Sequence, residues 1–246
     1  MAVDNNRLSQ RVNPAGVFLL LLLSADMAFV LMHLVHTLSP LLSDHLFSIE
    51  RDRGYGEAFQ YTKAYWIAIM LAVLGWRTRE AIYGAWTLLY IYLLCDDALQ
   101  IHEQVGRAVV RRLGYAPTLG LRAQDLGELT VYAVVGLVFL VLIVSVYLRS
   151  ARDARSASID LAVLSGAIGF FAVPVDMLHS ISGGSRFGGV LGLVEDGGEL
   201  VAMSAVCWYV LQLVERRGHV PEPLWHRIKT ALTVAYRGRA KRRFSM

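Results

Sequence analysis

Apolar residues in this chain come in long blocks rather than at amphipathic spacing, and no other feature limits the fold so strongly. In lipid every backbone N–H and C=O must be satisfied within the protein. Blocks of about 20 apolar residues are therefore built as membrane-spanning helices. Six spans are expected, at 15–38, 62–75, 81–101, 129–148, 159–178 and 196–213. The expected class is an all-α, polytopic transmembrane helical bundle, with one membrane domain over 15–214. Composition agrees, since only 18% of the 246 residues are charged, against about 25% in soluble domains. A basic start followed by a Leu run resembles a signal peptide. No small-x-small cleavage site follows it, however, and the apolar pattern continues, so the first block is read as an anchor.

The charged residues orient the bundle. Sixteen Lys and Arg fall on the side of the two termini and eight on the other. Cytoplasmic segments carry the excess of basic residues, so both termini are expected inside a cell inner (plasma) membrane. Segment 1–14 is then a short cytoplasmic N-terminus and 215–246 a basic cytoplasmic tail. Within the tail, 223–236 reads as an interfacial helix on anionic lipids of the bilayer. The net charge of +4 does not point to nucleic acid. Cys95 and Cys207 both lie in apolar runs and read as buried free thiols, with neither a disulfide framework nor zinc-type spacing. A homo-oligomer is compatible with this architecture.

Ionisable groups at membrane depth are costly, so each one inside a span is a functional-site hypothesis. The third span ends in Asp96 and Asp97, followed by His102 and Glu103. On one continuous helix reaching Leu113, Asp96 and Glu103 share a face, while Asp97 and His102 point elsewhere. Asp176 and His179 are neighbours at i and i+3 after Pro174, which is expected to kink the fifth span. Gly166 and Gly169 in that span are expected to permit close helix contact. The segment 180–192 reads as a flexible loop. The sixth span then opens with Glu195, Asp196 and Glu199, the first and last one turn apart. In the first span Asp26 and His33 share a face. Spans two and four read as scaffold.

The orientation sets these clusters toward the outer face. Carboxylates at that density repel one another unless protons or cations neutralise them. A metal site is the first reading, with Asp96, Glu103, Asp176, His179, Glu195 and Glu199 as ligands. Asp26, His33, Asp97, His102 and Asp196 are additional candidates. Such a ligand set suits Fe, Mn or Zn, and an enzyme acting on a lipid or lipid-linked substrate would follow. A proton- or metal-ion-coupled transporter or channel is the second reading. A structural or partner-binding membrane protein is the third.

Four motifs together resemble a known group. They are Gly54-Tyr55-Gly56-Glu57, Asp96-Asp97 with His102-Glu103, Asp176-Met177-Leu178-His179, and Glu195-Asp196-Gly197-Gly198-Glu199. The chain is similar, over about 47–209, to uncharacterised bacterial polytopic inner-membrane proteins. The resemblance implies a bacterial inner-membrane location and brings no established activity.

Overall fold

A computed structural model describes residues 13–118, 120–182 and 186–220. The interfacial helix expected in the basic tail, and most of segment 1–14, lie outside them. Every regular element among the described residues is helical, so the chain is all-α as expected. Four stretches are long and apolar enough to cross a membrane: Pro14–Leu38, Ala123–Tyr147, Arg152–Ile181 and Phe187–Glu215.

Helix α1 (Pro14–Leu38) starts with proline in its first turn, where the missing N–H costs no helical bond. Helix α2 (Tyr55–Thr78) begins seven residues before the expected span. Its N-cap, Gly54, sits so close to the preceding turn that a Cβ would lie 2.8 Å from the Arg51 carbonyl oxygen. Helix α3 spans Ala81–Leu99 and α4 spans Ile101–Leu113. Helix α5 (Ala123–Tyr147) is capped by Asp125, which accepts the Arg122 backbone N–H at 2.8 Å. Helix α6 (Arg152–Phe170) passes through a π-turn (Phe171–Val175) into α7 (Asp176–Ile181). The expected kink at Pro174 takes this widened form: the Asp176 N–H reaches back to the Phe171 carbonyl.

Helix α8 (Arg186–Glu215) overturns one expectation. Much of the Gly-rich stretch read as a flexible loop is its first turns. Glu195 is therefore well inside the helix rather than at its start. One glycine of this helix serves packing: a Cβ on Gly198 would collide with the Phe171 ring of the π-turn.

The core centres on α2, α3, α6 and α8, with Ile67, Leu71, Leu74, Ile82, Leu161, Val206 and Val210 fully buried. Polar clasps fix α3 to α6: Trp86 Nε1 donates to Ser158 at 2.9 Å, and the Tyr90 and Ser165 hydroxyls lie 2.7 Å apart. Helix α5 exposes Val134, Leu137, Val138 and Val141 along its length, but it is not scaffold alone, since its first turns bring Gln124, Glu128 and Tyr132 to the acidic end. Helix α2 is more than scaffold, because Lys63, expected at the polar edge of its span, is 0% exposed and binds Asp26 inside the bundle.

Close helix approach occurs at glycines other than those expected. Gly166 and Gly169 face open space, with nothing within 4 Å of an added Cβ. The tight crossing is α4 on α5, where a Cβ on Gly127 would lie 2.5 Å from the Gly106 carbonyl oxygen. Gly127→Ala should therefore cost about 1–3 kcal/mol by overpacking. Gly136→Ala on the same helix, with open space at its Cβ, should be neutral or slightly stabilising. Thermal unfolding of the two variants in detergent checks the contrast.

Candidate functional site

Helix α3 does not continue to Leu113. It stops at Leu99, and Gln100 turns the chain through a left-handed conformation at φ 53° and ψ 45°. The Asp96 carboxylate sets up this break. Its Oδ1 accepts the His102 backbone N–H at 2.8 Å, and its Oδ2 lies 3.0 Å from His102 Nδ1. The Gln100 side chain then ties the break to the preceding loop, accepting from Arg53 at 3.2 Å and donating to Asp52 at 3.3 Å. The expected pairing of Asp96 with Glu103 on one face fails for this reason. Asp96 pairs with His102, while Glu103 accepts from Arg107 at 3.0 Å.

The break gives His102 a defined role. With Nδ1–H donated to Asp96, the neutral ring presents Nε2 as its acceptor. The ring also packs on Tyr132, with centroids 5.2 Å apart. Burial pushes the His102 imidazole down, but the hydrogen bond and charge of Asp96 outweigh it and leave the group above its ordinary value.

A matching pair stands across the bundle. Asp176 and His179 occupy consecutive turns of α7, and His179 Nδ1 lies 2.8 Å from Glu195 Oε2 on α8. Gly192 makes room for this contact, since a Cβ there would sit 3.0 Å from His179 Cε1 and 2.5 Å from Glu50 Oε1. One turn deeper, Glu199 accepts from Gln60 Nε2 at 3.3 Å.

These groups surround one cavity of about 560 Å³. Of the expected residues, Asp97, His102, Glu103, Asp176, Glu195, Asp196 and Glu199 line it. Asp96 is 2% exposed and stands behind His102. His179 stands behind Glu195. His33 is hydrogen-bonded to Ser48 at 3.2 Å, with Nε2 4.0 Å from Glu50. Asp26 belongs to a different cluster. Its Oδ1 accepts from Lys63 at 3.0 Å and its Oδ2 from Ser204 at 2.6 Å. Lys63 also donates to the carbonyl of Leu200, a cavity-lining residue, so the ion pair lies directly beneath the cavity.

Four lining acids were not foreseen: Glu50, Asp52, Glu57 and Glu128. Glu57 was legible in its Gly-Tyr-Gly-Glu motif. Glu128 was legible from topology, since it opens the fourth span at the end where the third span finishes. Glu50 and Asp52 lie in the loop tied down by Gln100, a contact with no sequence signal.

The cavity carries ten carboxyl groups against three guanidinium groups, those of Arg51, Arg107 and Arg122. Arg107 is engaged by Glu103, and Arg122 by Asp125 outside the wall. Among the described residues, Asp96, Asp97 and His102 offer ligand atoms that all lie within 4.8 Å of one another. Asp96 already holds His102 through Nδ1, and of the three only Asp97 and His102 line the cavity.

No curated protein matches the chain, and neither does any solved structure. One family model covers residues 15–213, which takes in nearly all of the four transmembrane candidates and every acid around the cavity. The chain therefore belongs to the family described as Domain of unknown function (DUF8692).

Proposed function

We propose that this protein is a multi-pass membrane protein that binds divalent metal in the acidic cavity and uses it for a one-sided reaction on a lipid or lipid-linked substrate. The single observation that carries this reading is the excess of carboxylates over cations around one cavity. Seven more acids than guanidinium groups face a shared space in a low-dielectric bundle. That arrangement needs bound cations or protons to be stable. Oxygen donors with one or two imidazoles and no thiolate suit Mn²⁺ or Fe²⁺, with Zn²⁺ also accommodated. Asp97, Glu199 and Asp176 would supply oxygen ligands, and His102 a nitrogen oriented by Asp96.

Helices α2 and α3 join the four long apolar helices to make six spans. The 19 residues of α3 rise about 28 Å, enough to cross the hydrocarbon core. With both termini cytoplasmic in a bacterial inner membrane, the cavity opens on the outer face. Beneath it, Leu71, Leu74, Val206 and Val210 are fully buried and close the bundle. A site closed below suits binding or catalysis better than a through-path. The Lys63–Asp26 ion pair favours a second reading, cation-coupled transport, since buried charges of this kind also serve as relays.

Metal analysis of the full chain, purified in mild detergent without chelator, tests the first reading. At least one Mn or Fe per chain is expected, with most of it lost in Asp176→Asn and Glu199→Gln. A metal-free wild-type protein would sink it. Metal or proton flux into liposomes above the protein-free background, abolished in the same variants, would replace it with the transport reading.

A further inference from the structure

A second cavity lies at the other end of the bundle. It is a shallow, open groove of about 600 Å³ between α2, α3 and α5. Its walls are small and apolar, with Ala81, Gly84 and Ala85 of α3 across from Leu142 and Val146 of α5. A Cβ on Gly84 would meet nothing within 4 Å. Toward the acidic end the two helices close on each other, where the Tyr92 and Phe139 rings meet at 5.6 Å. Toward the α2–α3 turn they leave a groove.

The mouth of the groove is built differently. Trp76 stands 70% exposed there, beside Arg79 and Glu80. Glu80 Oε2 accepts the Ala151 backbone N–H at 3.4 Å, across to the α5–α6 connection. Arg79 forms no ion pair among the described residues. It caps α2 in the left-handed conformation, at φ 61°. The groove thus has an apolar floor, an aromatic side chain of the kind that settles at the lipid–water boundary, and an exposed, unpaired guanidinium.

Apolar surface in a membrane wall is not left void, because unfilled space forfeits the dispersion contacts of its lining atoms. We infer that this groove binds one glycerophospholipid, with an acyl chain along Gly84, Leu142 and Val146 and the phosphate on Arg79. Arginine is suited to that phosphate because its planar fork makes charge-assisted, paired hydrogen bonds to phosphate oxygens. The inference rests on the membrane-spanning reading but not on the metal reading. The phosphate end and the chain end make separable demands, so each can be removed alone.

The test uses the full chain, delipidated in detergent and titrated with dioleoylphosphatidylglycerol or with dioleoylglycerol, which lacks the phosphate. Native mass spectrometry counts bound copies. The wild type should take up one phosphatidylglycerol per chain and bind dioleoylglycerol about tenfold more weakly, the scale of one charge-assisted contact. Arg79→Gln, at an exposed position, should bind the two lipids equally with an unchanged melting temperature. Gly84→Leu should fill the groove and reduce uptake of both. Equal binding of the two lipids by the wild type overturns the inference, as does undiminished uptake by a folded Gly84→Leu. If Gly84→Leu does not fold, Arg79→Gln decides alone. A chain that sediments with membranes yet binds neither lipid overturns this inference only. A chain recovered in the soluble fraction overturns the membrane reading itself.

Discussion

Lys63→Met is expected to be among the most damaging single substitutions in the bundle, lowering stability by about 3–5 kcal/mol. Lys63 is 0% exposed and Asp26 1% exposed. The ammonium has three donors and three acceptors at hand: Asp26 at 3.0 Å, the Leu200 carbonyl at 2.7 Å and Ser204 at 3.3 Å. The Phe59 ring adds a cation–π contact at 4.7 Å. The pair is therefore fully satisfied, and it joins α1, α2 and α8 in one clasp. Removing the lysine leaves the Asp26 carboxylate buried with only Ser204 to hold it. Desolvation of an unpaired charge, rather than loss of attraction, sets the size of the effect. Removing both charges tells the two apart. Asp26→Leu with Lys63→Met should return to within about 1–2 kcal/mol of the wild type, because a buried pair adds little over apolar residues of similar volume. Thermal unfolding in detergent is the readout, with a drop of roughly 6–20 °C for the single variant. A double variant as unstable as the single one would show that the two residues do not act as a pair.

The clasp also illustrates what could be read from the sequence and what could not. Asp26 was visible as an acid within a span, and hydropathy alone flags it. Its partner was not visible, because Lys63 sits among Gln60, Tyr61, Thr62 and Tyr65, where the apolar pattern is weak. Pairing across 37 residues is a tertiary fact. The same division runs through the cavity. Asp176, Glu195, Asp196 and Glu199 were placed at one end by counting spans and basic residues, and all four line the cavity. The parity of the helices alone puts them there. The roles of Asp96 and Glu103 needed a helix without a break, and periodicity cannot report a left-handed Gln100. Side chains of Asp and Asn compete with the helix for backbone N–H groups. A doubled aspartate four residues before a polar Gln was the one available hint. Glycine contacts were the least legible. Gly166 and Gly169 have the spacing of a packing motif and face open space, while Gly106 and Gly127 lie in unremarkable contexts and carry a close backbone crossing.

The second large effect concerns the sign of a stability change. Removing carboxylates from a binding cavity should stabilise the metal-free protein and abolish its response to metal. At Glu199 on α8 the charges of Asp196, then Asp97 on α3, then Glu195 and Asp176 all act in the same unfavourable sense, on top of burial. Without a cation these groups repel one another or must take up protons, and either way the acidic end of the bundle loses stability at neutral pH. A metal at 100 times its dissociation constant would relieve it and add about 2.7 kcal/mol by mass action. The wild type should therefore melt lower in excess chelator than in excess Mn²⁺. Asp97→Asn with Glu199→Gln keeps the shape of both side chains and removes two charges. In chelator this variant should melt above the wild type, and in Mn²⁺ below it. The two curves cross because one substitution removes both the repulsion and the ligands. A purely structural acid patch gives a different pattern: the variant would be more stable, or less, by the same amount in both solutions. Identical melting of the wild type in chelator and in Mn²⁺ or Fe²⁺ would remove the case for metal in the cavity. The crossing ties the carboxylate surplus to its neutraliser without requiring that the substrate be known.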